Sequence, residues 1–315
     1  MRTSIRKYIL ERLGIKPQRF RQKERGDHLL FTIGTGNTRV IIIGHFNTVW
    51  DKGRLPLLIE EGKFYGPGVL DMKSGIIQSI WAVKAFLALG YRLEFEIAFL
   101  CTSDEEVGSQ TSRKLIEQEA KKSSMVFITE PPVAKTGALK TARKGVGIYQ
   151  LKVKGVSAHA GNHHQAGTSA IKEMAYQIIR LEELTDYALG TTVNVGVVTG
   201  WTRSNVVPEE AEAMIDFRVE TMVEAERMVK FIENLTPMMD GTEIEIEGEI
   251  NRPPMERTNK TEKLFNKAQE AAAEIGINLA ETHAGGASDG NYTASIGIPT
   301  LDGLGGLGEY IPIEE

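Results

Sequence analysis

Residues 39–53 read RVIIIGHFNTVWDKG, in which an apolar run leads into a loop that begins with a histidine. An unbroken run of Val and Ile is typical of a strand buried on both faces of a parallel sheet. We therefore predict a buried strand over residues 39–45. In open α/β sheets, functional side chains gather beyond the carboxyl ends of the strands, which makes His45 a candidate site residue.

The segments that follow alternate between helix and strand. Residues 74–90 have the pattern of an amphipathic helix closed by a glycine, and residues 93–103 alternate apolar with acidic residues as a strand does. A helix over about 109–121 and a short strand over 124–130 come next. This βαβαβ order predicts an α/β fold with a mostly parallel sheet and helices on both of its faces.

The pattern changes near Val146. Six segments there predict strand, helix, strand, strand, helix and strand, which is the order of a compact ferredoxin-like α+β domain; they span residues 146–155, 167–184, 192–200, 209–220, 222–235 and 242–250. The paired prolines of NRPPM precede a return to helix over 261–276. We therefore expect a catalytic domain in two pieces, 1–145 and 252–315, with a lid or dimerisation domain inserted over 146–251.

Composition limits the classes of function. The 315 residues are 41% hydrophobic and 25% charged with a net charge of -5, so they favour a globular protein and give no electrostatic case for binding nucleic acid or an anionic membrane. Cys101 is the single cysteine, which excludes a cysteine-based metal site. The first fourteen residues lack the apolar core of a signal peptide, and no apolar run is long enough to span a bilayer. We expect a cytoplasmic enzyme or binding protein.

Metal-competent side chains follow several of the predicted strands or lie in the loops between elements: His45, Asp71, Glu105, Glu106 and Glu130. One imidazole with several carboxylates suits Zn²⁺ or a similar divalent ion, and two ions if one carboxylate bridges them. Because Glu105 and Glu106 are adjacent, one can bind a metal while its neighbour acts on water. Each residue alone has an ordinary explanation, such as a solvated helix start for the two glutamates. Their joint placement after successive strands indicates a metal site.

The motifs GHFNTVWDKG, FYGPGVLDMKSG, DEEVGS and EPP resemble, in order and spacing, those of the M20 metallopeptidases and aminoacylases. GVSAHAG, SNVVP and IDFRV are similar to the motifs of the family's inserted domain, and GGASDGNYTASIGIPTLDGLG to its C-terminal catalytic segment. The likeness covers about residues 26–310 and is strongest toward the carboxypeptidase G2-like, or glutamate carboxypeptidase, subgroup.

This resemblance implies a dinuclear zinc hydrolase. Asp71 would bridge two zinc ions and would be followed by a cis peptide bond. His45 and Glu130 would complete the shell of the first ion, and Glu106 would bind the second. Glu105 would be the general base that takes a proton from water and returns it to the leaving nitrogen.

The resemblance also implies roles in the inserted domain. His159 would stabilise the oxyanion, reaching the partner subunit's site across a homodimer formed through 146–251. Asn205 and Arg218 would hold the substrate carboxylate, although Arg218 has the alternative of a structural salt bridge. Arg143 is a further candidate for contact with an anion, with a solvated basic loop as its alternative. Four residues are expected to shape the pocket wall without taking part in catalysis: Gly285, Gly286, Ser288 and Asp289.

Two departures from the family pattern bear on activity. Asn47 stands where the family has an aspartate that accepts the far N–H of the ligand histidine, so we expect the Asn47 amide oxygen to accept that bond without adding charge. Loss of such a partner typically lowers metal affinity or activity about 10–100-fold. The family's last metal-binding histidine is also missing: Pro312 stands about where it is expected, and His283 is a weak substitute. The opening segment before ERGDHLLFTIG also looks shorter than is usual in the family.

The leading hypothesis is a zinc-dependent hydrolase that cleaves an amide or peptide bond next to a free carboxylate. The substrate would be a small molecule or peptide, such as one with a C-terminal glutamate. An N-acyl-amino-acid or N-succinyl deacylase would use the same residues. A third hypothesis, motivated by the two departures, is a non-catalytic or metal-impaired binding protein with the same fold.

Overall fold

The computed structural model describes residues 2–51, 53–200 and 203–309. The chain divides into two compact units: residues 1–143, 255–284 and 288–315 form the first unit, and residues 144–254 with 285–287 form the second. None of the helices among the described residues combines the length and apolar character that a membrane crossing requires.

The strands, numbered in chain order, are β1 Gln18–Phe20, β2 His28–Ile33, β3 Arg39–His45, β4 Leu58–Glu60, β5 Lys63–Tyr65, β6 Glu96–Thr102, β7 Met125–Ile128, β8 Leu139–Arg143, β9 Gly145–Lys154, β10 Ala158–His159, β11 Thr192–Gly200, β12 Val206–Val207, β13 Glu210–Val219, β14 Glu243–Arg252, β15 Glu281–Ala284 and β16 Thr300–Leu301. The helices are α1 Arg2–Leu13, α2 Ser74–Ala88, α3 Arg113–Lys121, α4 Ala170–Glu182, α5 Met222–Glu233, α6 Asn259–Glu274 and α7 Gly290–Ser295. Short irregular turns span Val69–Lys73, Glu105–Val107 and His164–Ala166.

The first unit is built on a six-stranded sheet in the order β1-β2-β6-β3-β7-β16. The pairs β6–β3, β3–β7 and β7–β16 are parallel, and β1 and β2 are antiparallel additions at one side. Alternate residues of β6 enter two different apolar clusters: Phe99 packs with residues of α1 and α2, whereas Leu100 packs with residues of α3 and α7. Because successive strand residues point to opposite faces, helices cover both faces of the sheet. The α/β prediction is confirmed.

Two strand predictions match closely and one differs in detail. The strand over 39–45 is observed with those bounds, and the predicted strand over 124–130 ends at Ile128. The strand predicted over 93–103 begins only at Glu96, and its residues beyond Glu96 are all buried rather than alternating. Both kinds of side chain are buried because β6 lies between β2 and β3 in the sheet and is covered by helices on both faces.

A small hairpin, β4–β5, precedes the Val69–Lys73 turn in the first unit. Its two connecting residues, Glu61 and Gly62, have φ values of 49° and 76°. Two consecutive residues with positive φ are typical of the tight turns that match the twist of a two-stranded ribbon, and glycine takes this conformation without strain.

The second unit is a four-stranded antiparallel sheet in the order β11-β13-β9-β14 with α4 and α5 packed on it. Along β13, exposed and buried positions alternate, which places one face of the sheet against the helices. The βαββαβ order and this pairing are those of the predicted ferredoxin-like arrangement.

Candidate metal centre

Three neighbouring parallel strands end at one edge of the sheet of the first unit, and each leads into candidate side chains. In the register of β3 with β6, His45 lies beside Thr102, and the chain then enters the turn that carries Glu105 and Glu106. Strand β7, on the other side of β3, ends two residues before Glu130. The parallel arrangement therefore brings an imidazole and three carboxyl groups to one edge.

The residue before His45 must be small because the surroundings are tightly packed. A Cβ atom added to Gly44 would lie 2.6 Å from Thr129 Oγ1 and 2.8 Å from Ile76 Cγ1. These contacts belong to the loop after β7 and to α2. The glycine thus allows the strand end to approach both elements closely and fixes where the His45 side chain begins.

Asp71 approaches the same place from the Val69–Lys73 turn that precedes α2. Gly68, immediately before the turn, has a φ of 64°. The Asp71–Met72 peptide bond is cis, as the family resemblance implies, and the Met72 side chain is buried.

The distances at His45 show how closely these groups converge. Its Nε2 atom lies 3.1 Å from Asp71 Oδ1, 3.3 Å from Glu130 Oε1 and 3.8 Å from Glu105 Oε2. Two sets of possible ligand atoms, each within 4.8 Å of one another, form overlapping groups: His45 with Glu105 and Glu130, and His45 with Asp71 and Glu106. The structure therefore brings all five predicted residues of the metal site together.

The electrostatics of this cluster favour a bound cation. Burial alone lowers the pKa of His45, but its hydrogen bonds to Asp71 and Glu130 outweigh burial and hold the pKa well above the usual value. Burial raises the pKa of Glu106, and the nearby charges of Asp71 and Glu130 raise it further. Gathering four carboxyl groups around one imidazole is costly unless positive charge compensates them. Oxygen and imidazole donors at this spacing fit divalent ions such as Zn²⁺.

The position of Asn47 corrects one sequence prediction. His45 Nδ1 lies 3.3 Å from the backbone carbonyl oxygen of Asn47, not from its side chain. The Asn47 Oδ1 atom is buried and has no hydrogen-bond partner among the described residues. The predicted bond from the histidine to the Asn47 amide oxygen is therefore wrong, because the chain turns after β3 so that a main-chain carbonyl reaches the ring first. Any residue at position 47 could supply that carbonyl.

The Glu105–Val107 turn is held by Asp104, which has no role predicted from the sequence, and by Asp289, which is predicted only to shape the pocket wall. The Asp104 carboxylate accepts hydrogen bonds from Thr111 N at 2.7 Å and from Ser112 N at 3.2 Å. Asp289 accepts from Ser109 Oγ at 2.5 Å and from Thr102 Oγ1 at 3.2 Å. These bonds tie both sides of the turn to its surroundings. Burial raises the pKa of Asp104, but its hydrogen bonds outweigh that effect and lower it overall.

Arg143 is buried and paired, and not in a solvated basic loop. It is the last residue of β8, and its Nε and Nη2 atoms lie 2.6 and 3.0 Å from the two carboxylate oxygens of Asp302. Ser288 Oγ donates to the same carboxylate at 2.6 Å. Burial lowers the pKa of Arg143, but the Asp302 charge and hydrogen bonds raise it overall. Asp302 is a second residue whose role the sequence patterns did not reveal.

His159 and Asn205 lie close together on exposed chain in the second unit. Strand β10, which contains His159, pairs with β12, and Ala160 N donates a hydrogen bond to Asn205 O at 3.0 Å. His159 Nδ1 accepts from the backbone N–H groups of Gly161 and Asn162, both at 3.1 Å. Because Nδ1 accepts two bonds, the neutral ring carries its proton on Nε2. His159 thus presents an N–H donor to its surroundings.

Arg218 forms a two-point ion pair within its own strand. Its Nε and Nη2 atoms lie 2.6 and 2.8 Å from the oxygens of Asp216, which is two residues away on the same face of β13. Both side chains are about one-third exposed, at 34% and 36%. The alternative of a structural salt bridge therefore describes the observed state of Arg218.

The remaining sequence predictions concern the C-terminal part. His283 is exposed on β15 and belongs to neither ligand group, so its predicted role as a substitute ligand is not supported. Pro312 lies outside the described residues. Of the four predicted wall residues, Ser288 and Asp289 are buried and anchor other groups, whereas Gly285 and Gly286 are exposed.

Comparison with known proteins places this geometry in a family. The chain is 29% identical to carboxypeptidase G2 from Pseudomonas sp. over 290 residues, which are 89% of this chain and 69% of that protein. It is 30% identical to the succinyl-diaminopimelate desuccinylase of Delftia acidovorans over 286 residues, which are 84% of this chain and 73% of that protein.

Solved structures show the same fold. The aminopeptidase PepT of Bacillus cereus superimposes with a TM-score of 0.76 at 21% identity, covering 94% of this chain and 83% of that one. A dinuclear metal-binding peptidase of the M20 family from Bacillus subtilis superimposes with a TM-score of 0.66 at 16% identity, covering 95% and 80%. The model of peptidase family M20/M25/M40 matches residues 41–314, which are most of the chain and include the whole candidate metal centre. The chain is a member of the M20/M25/M40 family of peptidases and related hydrolases.

Proposed function

We propose that this protein is a zinc-dependent hydrolase that cleaves an amide or peptide bond next to a free carboxylate. The substrate class follows the carboxypeptidase G2-like subgroup, in which a C-terminal glutamate is an example. The observation that carries the proposal is the pair of overlapping donor groups that share His45. One imidazole nitrogen binds a single ion, so in a dinuclear centre the carboxyl groups gathered at this edge of the sheet would have to hold the second ion.

In this proposal His45, Asp71, Glu106 and Glu130 hold the metal. Bound there, a divalent ion supplies Lewis-acid polarisation of a carbonyl group and lowers the pKa of water. The clustering of carboxyl groups around His45 supports this assignment, since a cation compensates their charge. The His45 ring is oriented by the Asn47 backbone carbonyl at its Nδ1 atom, which leaves Nε2 for the metal.

Glu105 is the proposed proton carrier. Its Oε2 atom lies 3.8 Å from His45 Nε2, and the turn that carries it is anchored through Asp104 and Asp289. Its carboxylate takes a proton as a water oxygen bonds to the substrate carbonyl carbon. The same oxygen then delivers the proton to the amide nitrogen as the C–N bond breaks, so that a carboxylic acid and an amine leave.

The second unit would supply substrate contacts. His159 presents an Nε2–H donor suited to a developing oxyanion, and Asn205 lies beside it. Arg218 would bind the substrate carboxylate if substrate displaces Asp216 from its guanidinium group. Arg143 is no longer proposed as an anion contact, because Asp302 occupies two of its donor atoms.

We also propose a homodimer through residues 146–251. Strand β11 lies at an edge of its sheet, and Val197 and Val198 on it are 54% and 50% exposed. An exposed edge strand with apolar side chains offers backbone and side-chain groups for pairing with another chain. Sedimentation velocity at micromolar concentration is expected to give a dimer, and a monomer would contradict this part of the proposal.

A second candidate function is an N-acyl-amino-acid or N-succinyl deacylase. It is favoured by the 30% identity to the desuccinylase of Delftia acidovorans. The same metal-holding residues and the same proton transfers at Glu105 would serve both reactions. The two candidates differ only in which groups lie on either side of the cleaved amide.

Metal analysis combined with a hydrolysis assay tests the proposal. The protein is loaded with Zn²⁺, desalted and analysed by mass spectrometry for metal, and then assayed on folyl-glutamate and N-acetyl amino acids. We expect two zinc ions per chain and turnover that a chelator removes. One ion or none, with no turnover on any substrate, would instead indicate a metal-impaired binding protein with this fold.

A further inference from the structure

A pocket of about 470 Å³ opens beside the metal centre within the first unit. Asp71 and Glu106, which belong to the candidate metal centre, also line this pocket. Its volume lies within the range of small-molecule sites, roughly 300–1,000 Å³. The pocket is therefore continuous with the reacting groups and large enough for a substantial part of a substrate.

Apolar side chains form most of the pocket wall. They come from the loop after β3, from hairpin β4–β5 and from the turn before Asp71, and they include Val49, Trp50, Leu55, Leu58, Tyr65 and Val69. Leu58 and Tyr65 are directly paired across the hairpin, so their side chains lie on one face of it. Glu60 and Lys63, the next pair on that face, are charged, so the hairpin presents apolar side chains beside one acidic lining residue, Glu60.

The charged residues of the wall are all acidic. Besides Asp71 and Glu106, the described lining contains Glu60 and Glu309 and no basic side chain. Three described cations stand close to lining residues: Lys63 is paired with Glu60 across the hairpin, the Arg54 guanidinium stacks over Trp50 at 5.8 Å, and Lys73 Nζ donates to the Pro67 carbonyl at 2.7 Å. When the proposed metal compensates Asp71 and Glu106, Glu60 and Glu309 are the acidic groups that disfavour a carboxylate in the pocket, and the apolar wall favours an uncharged hydrocarbon group.

We propose that this pocket is the subsite for the acyl group of the substrate and that it selects an uncharged apolar acyl group, aromatic or aliphatic. The inference rests on the proposed amide hydrolysis. Because the pocket adjoins Asp71 and Glu106, a group bound in it would lie on one side of the cleaved bond, and we assign that side to the acyl group. The free carboxylate of the substrate would then lie on the amine side of the cleaved bond, where a cationic group is needed to bind it. An N-succinyl group, which carries its own carboxylate, is disfavoured in the pocket.

The test uses a series of N-acyl-L-glutamates with the zinc-loaded full chain. From N-acetyl through N-butanoyl to N-hexanoyl, kcat/KM is expected to rise about fourfold for each added methylene group that is buried. The kcat/KM for N-succinyl-L-glutamate is expected to be at least about tenfold lower than that for N-butanoyl-L-glutamate, whose acyl group has the same number of carbon atoms and no charge.

Two neighbouring hairpin residues provide a variant and its matched control. Leu58 lines the pocket and is 44% exposed, whereas Ile59 does not line it and is 64% exposed. Leu58→Ala is expected to weaken the increase of kcat/KM with acyl chain length, and Ile59→Ala is expected to leave that increase unchanged. Leu58→Lys adds a cation to the wall and is expected to raise the N-succinyl rate relative to the N-butanoyl rate.

The outcomes separate this inference from the proposed function. Hydrolysis of N-acetyl-L-glutamate with no dependence on chain length, or with equal effects of the two alanine variants, would overturn the pocket assignment alone. If none of the compounds is hydrolysed, the proposed function fails, and the pocket is judged by calorimetric binding. Tighter binding of N-hexanoyl- than of N-succinyl-L-glutamate, weakened by Leu58→Ala alone, would support the pocket, and equal binding would overturn it.

Discussion

The metal centre and the candidate substrate residues of the second unit are built in opposite ways. His45 and Glu130 are 1% and 8% exposed and contact one another at the ends of buried strands. His159 and Asn205 are exposed on short strands and loops and are held by a few backbone hydrogen bonds. A buried centre ties function to stability, whereas an exposed residue can be replaced with little effect on the fold. Substitutions in the two regions should therefore differ in their effects on activity and on stability, and they follow from the largest expected effect to the smallest.

Glu105→Gln should cause the largest loss of activity. Removing a general base typically lowers the rate about 10²–10⁴-fold, and we expect a decrease in kcat of that size. Zinc content should remain at two per chain, because the proposed ligands are unchanged. Glu94→Gln, at an exposed position, is the control. Loss of zinc together with activity would show that Glu105 is a ligand and not the proton carrier.

His159→Ala should lower kcat about 10²–10³-fold, as expected for loss of one oxyanion donor. Because His159 is exposed, the melting temperature and the zinc content should not change. His163→Ala, in the same exposed segment, should behave as the unchanged protein does. If both variants have full activity, His159 has no catalytic role and is an ordinary surface histidine.

The buried residue His28 should make the stability of the first unit depend on pH. It is fully buried on β2, its Nε2 lies 3.0 Å from Thr111 Oγ1, and burial lowers its pKa below 6.5 despite nearby acidic groups. Below pH 6.5 the unfolded chain therefore binds a proton before the folded chain does, so stability falls as pH falls toward the folded-state pKa. The contribution is at most about 1.4 kcal/mol per pH unit.

Urea unfolding of the unchanged protein and of His28→Gln at pH 7.5, 6.5 and 5.5 measures this effect. The difference in unfolding free energy between the two proteins should shrink as the pH falls. A difference that is constant with pH would contradict the assignment of a neutral buried His28. The exposed His163→Ala variant should show no such pH dependence.

Asn47→Asp should have the smallest effect. The backbone carbonyl of residue 47 already faces His45 Nδ1, so the new carboxylate does not restore a missing bond. We expect zinc affinity to change less than about tenfold, the lower limit for an outer-shell partner. Competition with a fluorescent chelator measures it, and an increase of tenfold or more would show that the side chain at position 47 does orient the histidine.

Sequence patterns predicted the fold class and most elements because their signals are local. The apolar run 39–45 became β3 with those bounds, and the helix predicted over 74–90 became α2 over Ser74–Ala88. The helix predicted from residue 109 begins only at Arg113, because residues 109–112 bond to Asp104 and Asp289 instead. Such side-chain competition with the helix depends on residues far apart in the chain.

By itself, the sequence determined which side chains reach the carboxyl edge of the parallel sheet: a strand followed by His45, and loops with Asp71, Glu105, Glu106 and Glu130. It did so because strand ends and motif spacing are encoded over short distances. Only the tertiary structure decided which partners these and other polar groups take. The choice of the Asn47 carbonyl over its side chain, of Asp302 for Arg143 and of Asp216 for Arg218 depends on the final path of the chain, and so does the acidic, apolar pocket beside the centre. Hydrogen bonds and ion pairs act over a few ångströms, so their partners are set only when folding brings distant residues together.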